Sequence, residues 1–258
     1  MDLQRLMSLS RKAIDDYGMI NEGDKIAVGI SGGKDSLTLL TALAGIRRFY
    51  PKPFALHAIT VDMGFPEAAE GLLPIRRLCE SLDVPYTVVP SQIAEIVFED
   101  RKETNPCSLC AKLRKGAFNT AAKELGCNKV AYGHHKNDMV ETLMLSLIYE
   151  SRIYCFSPVL YLDRMDLTVI RPLIYVDEAD IKGYAAANAL PVYRNPCPAD
   201  GHTRREYVKQ LINGITTENP GARDRMHAAI LRAGLPGWPE KRNNQNSLTN
   251  ERTDGFRE

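Results

Sequence analysis

The feature that most constrains this chain is the regular alternation of short apolar runs with longer segments of helical period. "KIAVGI" (25–30), "FALHAITVD" (54–62), "PYTVVP" (85–90) and "NKVAYG" (128–133) read as buried strands, and "LTVIRPL" (167–173) continues the series. Between them, "SLTLLTALAGIRRF", "AAEGLLPIRRLCESL", "CAKLRKGAFNTAAKELG" and "NDMVETLMLSLIYE" carry apolar residues at helical spacing. Strand, helix, strand in repetition predicts an α/β fold, a doubly wound parallel sheet with helices on both faces. A helix over 2–17 leads into the first strand.

The later part is less regular. Residues 177–190 read as a helix with Asp177 as N-cap, followed by the proline-rich "LPVYRNPCPADG" and two charged amphipathic helices at about 203–213 and 219–233. From Pro236 the sequence is polar and aperiodic, which predicts one folded domain over 1–235 and a disordered tail over 236–258. No internal repeat is evident.

Lys and Arg (33) almost balance Asp and Glu (32), so a nucleic-acid partner would need a local basic patch rather than a cationic chain. No apolar run approaches the roughly 20 residues of a membrane span, and acids and arginines crowd the N-terminus. The expectation is a cytoplasmic protein with no membrane partner. In a reducing compartment the six cysteines would serve metal binding, catalysis or packing rather than disulfides.

At the first strand-to-helix junction stands "SGGKDS", Ser31, Gly32, Gly33, Lys34, Asp35 and Ser36. In a doubly wound sheet this turn floors the ligand crevice. Two glycines let the backbone approach an anion, and the helix start behind them attracts negative charge. The spacing fits neither G-x-x-x-x-G-K-[ST] nor G-x-G-x-x-G. Two further strand ends point into the same crevice: Asp62 in "ITVDMGF", and Gly133, His134, Asp138 and Glu141 in "AYGHHKNDMVET". "NPCSLC" places Cys107 and Cys110 at a helix start, where two thiolates can face one ion, and Cys197 in "RNPCPADG" is a distant third sulfur. Three cysteines fit zinc completed by Asp200 or His202, or an iron–sulfur cluster with one iron left open; the spacing does not choose. Cys79, Cys127 and Cys155 read as packing residues.

SGGKDS resembles the pyrophosphate loop (PP-loop) of the N-type ATP pyrophosphatases, with the signature S-G-G-x-D-S. The G-H-H-x-D-D-x-x-E-T pattern of PP-loop enzymes that modify tRNA is matched except that Asn137 stands where the first acid would be, which removes a charge there. Loop, C-x-x-C and distant cysteine together resemble the tRNA 2-thiocytidine synthetase (TtcA-type) group over roughly residues 5–235. The second C-x-x-C of that group is C-P-A-D here, with Asp200 at the fourth position.

The resemblance implies a PP-loop fold, cofactors ATP, Mg2+ and a 4Fe-4S cluster on Cys107, Cys110 and Cys197, and tRNA as partner. It implies adenylation of a pyrimidine C2 oxygen, followed by replacement with sulfur from a cysteine desulfurase or free sulfide. Cys110 and Cys197 are the sulfur-handling residues and Asp35 and Asp138 the magnesium candidates. Lys34 would meet phosphate and Arg114 the charge developing on the base. A tRNA patch would combine Arg101, Lys102, Lys112, Arg114 and Lys115 with Arg204, Arg205 and Lys209. A persulfide relay through Cys110 and Cys197, a PP-loop ligase or amidase without thiol chemistry, and a zinc-stabilised adaptor remain alternatives, and a homodimer is open.

Overall fold

A computed structural model describes residues 1–65, 68–100, 106–193 and 204–242. Six strands form one sheet in the order β3-β2-β1-β4-β6-β5. They are β1 Lys25–Gly29, β2 Ala55–Asp62, β3 Tyr86–Pro90, β4 Lys129–Ala131, β5 Val159–Leu162 and β6 Leu167–Ile170. The β1–β2, β2–β3, β1–β4 and β4–β6 pairs are parallel, as the alternation predicts. The strand order reverses at β1, so the crevice between the carboxyl ends of β1 and β4 is the switch point where doubly wound sheets bind ligands.

The helices are α1 Leu3–Tyr17, α2 Lys34–Arg47, α3 Ala68–Ser81, a single turn α4 Ile93–Glu95 running into a π turn at Ile96–Asp100, and α5 Pro106–Glu124. They continue as α6 Lys136–Tyr149, α7 Glu178–Ala187, α8 Arg204–Glu218 and α9 Ala222–Arg232. Helix α1 starts because the Asp2 carboxylate accepts from Arg5 N at 2.7 Å, and stops where Gly18 adopts φ 57°. Helix α2 is apolar on nearly all sides, with Leu37, Leu39, Leu40, Leu43 and Ile46 fully buried. Such a helix must be covered all round, and α1 and α7 pack on it above the sheet.

Two local readings are corrected and one element is added. The edge strand β5 was not foreseen; it pairs antiparallel with β6, from Val159↔Ile170 to Leu162↔Leu167. Asp177 occupies the N-cap of α7 but makes no side-chain cap; its carboxylate takes Lys136 Nζ at 3.1 Å, and Asn137 Oδ1 accepts Glu178 N instead. The polar tail begins packed: Trp238 lies against the core and its indole N–H donates to Cys155 O at 3.2 Å. Cys79, Cys127 and Cys155 are buried, and burial pushes their thiols up, Cys79 to about 11 and Cys155 to about 12.

Candidate active site

The loop after β1 is organised around one hydroxyl. Ser36 Oγ accepts from Ser31 N at 3.2 Å and donates to Gly33 O at 2.9 Å, while Ser31 Oγ accepts from Gly33 N at 3.3 Å. Gly32 has φ 81°, a left-handed conformation natural to glycine. Gly33 caps α2 without a side chain, leaving the first amides of that helix open to an anion. The end of β4 closes on this loop. A Cβ at Gly133 would lie 2.9 Å from the Asp35 carbonyl carbon and oxygen and 3.2 Å from Ser36 N, so the approach requires glycine.

These pieces line a cleft of about 460 Å³. Ser31, Asp35, Ser36, Asp62, Gly133 and His134 reach it, as does Asp138. Asp62 ends β2; its carboxylate accepts from Gly64 N at 3.0 Å and its carbonyl from Ser91 Oγ at 2.6 Å. Arg114 and Lys115, both exposed, enter from α5 together with Ala111. Cys107 and Cys110 stand on the first turns of that helix, Cys107 exposed and Cys110 half-buried beside Met63, Ile93 and Val97. Cys197, Asp200, His202, Arg101 and Lys102 lie outside the described residues. Among the described residues, no three His, Cys, Asp or Glu side chains gather to hold a metal ion.

Lys34 does not stand idle above the loop. Its ammonium meets Asp35 at 3.0 Å and Glu178 at 3.3 Å. Burial alone would raise the Glu178 carboxyl, but the Lys209 hydrogen bond and the charges of Lys34 and Lys209 hold it down to about 2. Asp138 caps α6 by accepting from His135 N at 2.9 Å and takes Arg205 Nη1 at 3.0 Å. Arg205 also lies 3.6 Å from Glu141, whose carboxyl burial and the Asp138 charge push up to about 7. Within the basic patch, Arg205 and Lys209 are thus committed to internal carboxylates, whereas Arg204 stacks on the Tyr149 ring at 4.9 Å. Asn137 is buried and serves as the distant cap of α7, an amide role that needs no charge.

Arg171, just past β6, is a site residue that the sequence reading did not single out; the available signal was a lone charge closing the apolar run "LTVI". Its Nε donates to His134 Nδ1 at 3.1 Å. Burial and Arg171 bring the His134 imidazole down to about 4, so the ring is neutral near pH 7 with its proton on Nε2. Tyr132, His134 and Phe156 form an aromatic wall, with ring centroids 5.9 Å and 4.8 Å apart.

Comparisons with known proteins agree with this architecture. The PP-loop domain family matches residues 5–215. The tRNA-cytidine(32) 2-sulfurtransferase of Cupriavidus metallidurans is 40% identical over 228 residues, 88% of this chain and 72% of the relative. That of Syntrophotalea carbinolica is 37% identical over 230 residues, 88% of each chain. Among solved structures, the U34-tRNA thiolase NcsA from Methanococcus maripaludis with its 4Fe-4S cluster superposes with a TM-score of 0.71 at 23% identity, covering 88% of this chain and 77% of that one. An NH3-dependent NAD synthetase from Campylobacter jejuni superposes at 0.51 with 16% identity over the whole of both chains. Both superpositions speak to fold.

Proposed function

Because the chain belongs to the PP-loop domain family and, within it, to the tRNA-cytidine(32) 2-sulfurtransferases, we propose that it is an ATP-dependent tRNA sulfurtransferase acting on C2 of a cytidine. One observation carries the reading. A single cleft is lined by the SGGKDS loop, by Asp62 and by the face of α5 that follows Cys107 and Cys110.

ATP lies with its terminal phosphates on the open amides of the loop and its adenosine toward Asp62, Met63 and Phe65. The cytidine O2 attacks the α-phosphorus; the bond to pyrophosphate breaks, and O2 becomes part of a good leaving group. Sulfur at the sulfide oxidation level then forms the C2–S bond as the C2–O bond breaks, and AMP departs. Lys34 turns from Glu178 toward incoming phosphate, a like-for-like exchange of anions. Arg114, exposed at the rim, meets negative charge as the base is attacked. Asp35, one-third exposed in the cleft, and Asp138 are the carboxylates suited to Mg2+, a hard cation preferring oxygen.

The accessible thiols on the first turns of α5 fit a soft metal centre, in contrast to the three sealed cysteines. With Cys197 they would hold a 4Fe-4S cluster, which when bound would supply a thiophilic centre for handling sulfur. The sulfur itself enters as free sulfide, or from a cysteine desulfurase whose persulfide is reduced by a thiol pair, which becomes a disulfide as sulfide is released. tRNA docks over exposed cations that include Lys112, Arg114, Lys115 and Arg204, with Arg205 and Lys209 contributing less because they already pair with internal carboxylates.

The test is mass spectrometry of tRNA nucleosides from cells with and without the gene. Loss of 2-thiocytidine on deletion, restored by the wild-type chain and not by C107S, is expected. Thiolated nucleosides unchanged by deletion would sink the assignment, and full restoration by C107S would favour chemistry that needs the loop but no thiols.

A further inference from the structure

Arg171 is 7% exposed, and what little surface it keeps faces the cleft. Parallel pairing of β6 with β4 sets Ile170 beside Ala131, so Arg171 falls beside Tyr132, one residue from the Gly133 that touches the loop. Three neighbours fix its guanidinium. Nε donates to His134 Nδ1 at 3.1 Å, Nη1 donates to Ser157 O at 2.5 Å, and the group lies 5.0 Å from the centre of the Phe156 ring. None is an anion. Among the described residues no carboxylate ion-pairs with Arg171 and Nη2 has no hydrogen-bond partner, whereas Lys34 and Arg205, which pair with the cleft-lining Asp35 and Asp138, each have two carboxylates.

A guanidinium removed from water without a counter-charge is costly, and burial holds the Arg171 pKa down to about 10. So expensive an arrangement points to an anion that arrives with a ligand. We propose that Arg171, held rigid by His134, Ser157 and Phe156, is a second phosphate subsite that grips the α-phosphoryl group of ATP while it passes to the substrate oxygen. The inference rests on the ATP-dependent reading above. The loop takes the pyrophosphate that leaves, so the α-phosphoryl group must lie next to it, and Gly133 and His134 bridge loop and Arg171. A planar fork presents two parallel N–H groups to two phosphate oxygens. A neutral pyrimidine ring would offer no compensating charge. Neutral His134 adds to the design: by accepting at Nδ1 it orients the fork without adding a second positive charge.

The test compares binding of AMP and of inorganic pyrophosphate to the full-length wild type, R171M and R171K by titration calorimetry, with ligand-induced thermal shifts confirming folding. AMP affinity should fall about tenfold or more in R171M and by a smaller factor in R171K, which keeps the charge but loses the fork, while pyrophosphate affinity stays within about twofold. Unchanged AMP affinity in both variants, or equal loss for both ligands, overturns the subsite. Should R171M fail to fold, R171K decides on the same criterion. Binding of tRNA without nucleotide should be unaffected; a fall there with AMP binding intact would give the anion to the RNA backbone and overturn the proposal. A wild type that binds neither ATP nor AMP would instead refute the ATP-dependent reading itself.

Discussion

The contact of Gly133 with the loop gives a sharp test of how the cleft is built. In G133A the new methyl would sit 2.9 Å from Asp35 C and O, about 0.6 Å inside the ~3.5 Å lower edge of ordinary carbon contact. The obstacle is backbone, so no side chain can rotate away. Overpacking of this kind costs about 1–3 kcal/mol. Either the strand end retreats, and the melting temperature falls by about 2–4 °C per kcal/mol, or the loop yields and roughly tenfold to hundredfold of pyrophosphate affinity is lost. Gly116 is the control, on an exposed stretch of α5 with nothing within 4 Å of an added Cβ. There alanine should stabilise by about 0.5–1 kcal/mol through helix propensity. Calorimetric titration with pyrophosphate and thermal unfolding of both variants read the two effects. A G133A protein that melts and binds as the wild type does would refute the tight-approach argument, and G116A behaving like G133A would show that the cost comes from elsewhere.

Three other perturbations follow from the same geometry. Lys129 Nζ meets Asp24 at 2.8 Å and Met19 O at 2.7 Å with both side chains buried; K129M removes the counter-charge of a carboxylate that keeps only the Asn21 N and Asn128 Nδ2 hydrogen bonds and should cost about 3 kcal/mol in urea unfolding, part of it recovered by adding D24N. Glu141 has a folded-state pKa raised from 4.5 to about 7, so its ionisation weakens the fold as pH rises between those values; E141Q should gain up to about 3 kcal/mol over the wild type at pH 8 and almost nothing at pH 4.5, whereas a pH-independent difference would contradict the shift. C107S, at an exposed position, should leave the unfolding free energy of the metal-free protein within about 0.5 kcal/mol while abolishing iron binding measured by visible absorbance; C155S, at a buried position whose sulfur lies 3.5 Å from Met139 O, should do the reverse.

Much of the fold was legible because periodicity is local: the five strands read from the sequence and their helices carry their burial pattern within a dozen residues. Strand β5 escaped since "VLYL" is four residues long with an exposed middle, Leu160 and Tyr161, and so has no alternation to detect. At the site, residues at the carboxyl ends of strands were found by position, Asp62 and Gly133 among them, but their partners were not. Which acid occupies Lys34, which cap serves α7 and what orients His134 all depend on contacts spanning 37 to 144 residues of chain, as in the Arg171–His134 and Lys34–Glu178 pairs. Asn137 shows the limit in one residue: from sequence it is a lost charge, and in the fold it is the amide that starts another helix.

The indole of Trp238 reaches back across 83 positions to the carbonyl of Cys155, immediately before the Phe156 and Ser157 that steady Arg171. Trp238 therefore buttresses the back of the wall that carries Phe156 and Ser157, and a change at this indole should be transmitted to Arg171. An affinity tag fused close after this tryptophan, or a shortened chain ending before it, would be felt in nucleotide affinity.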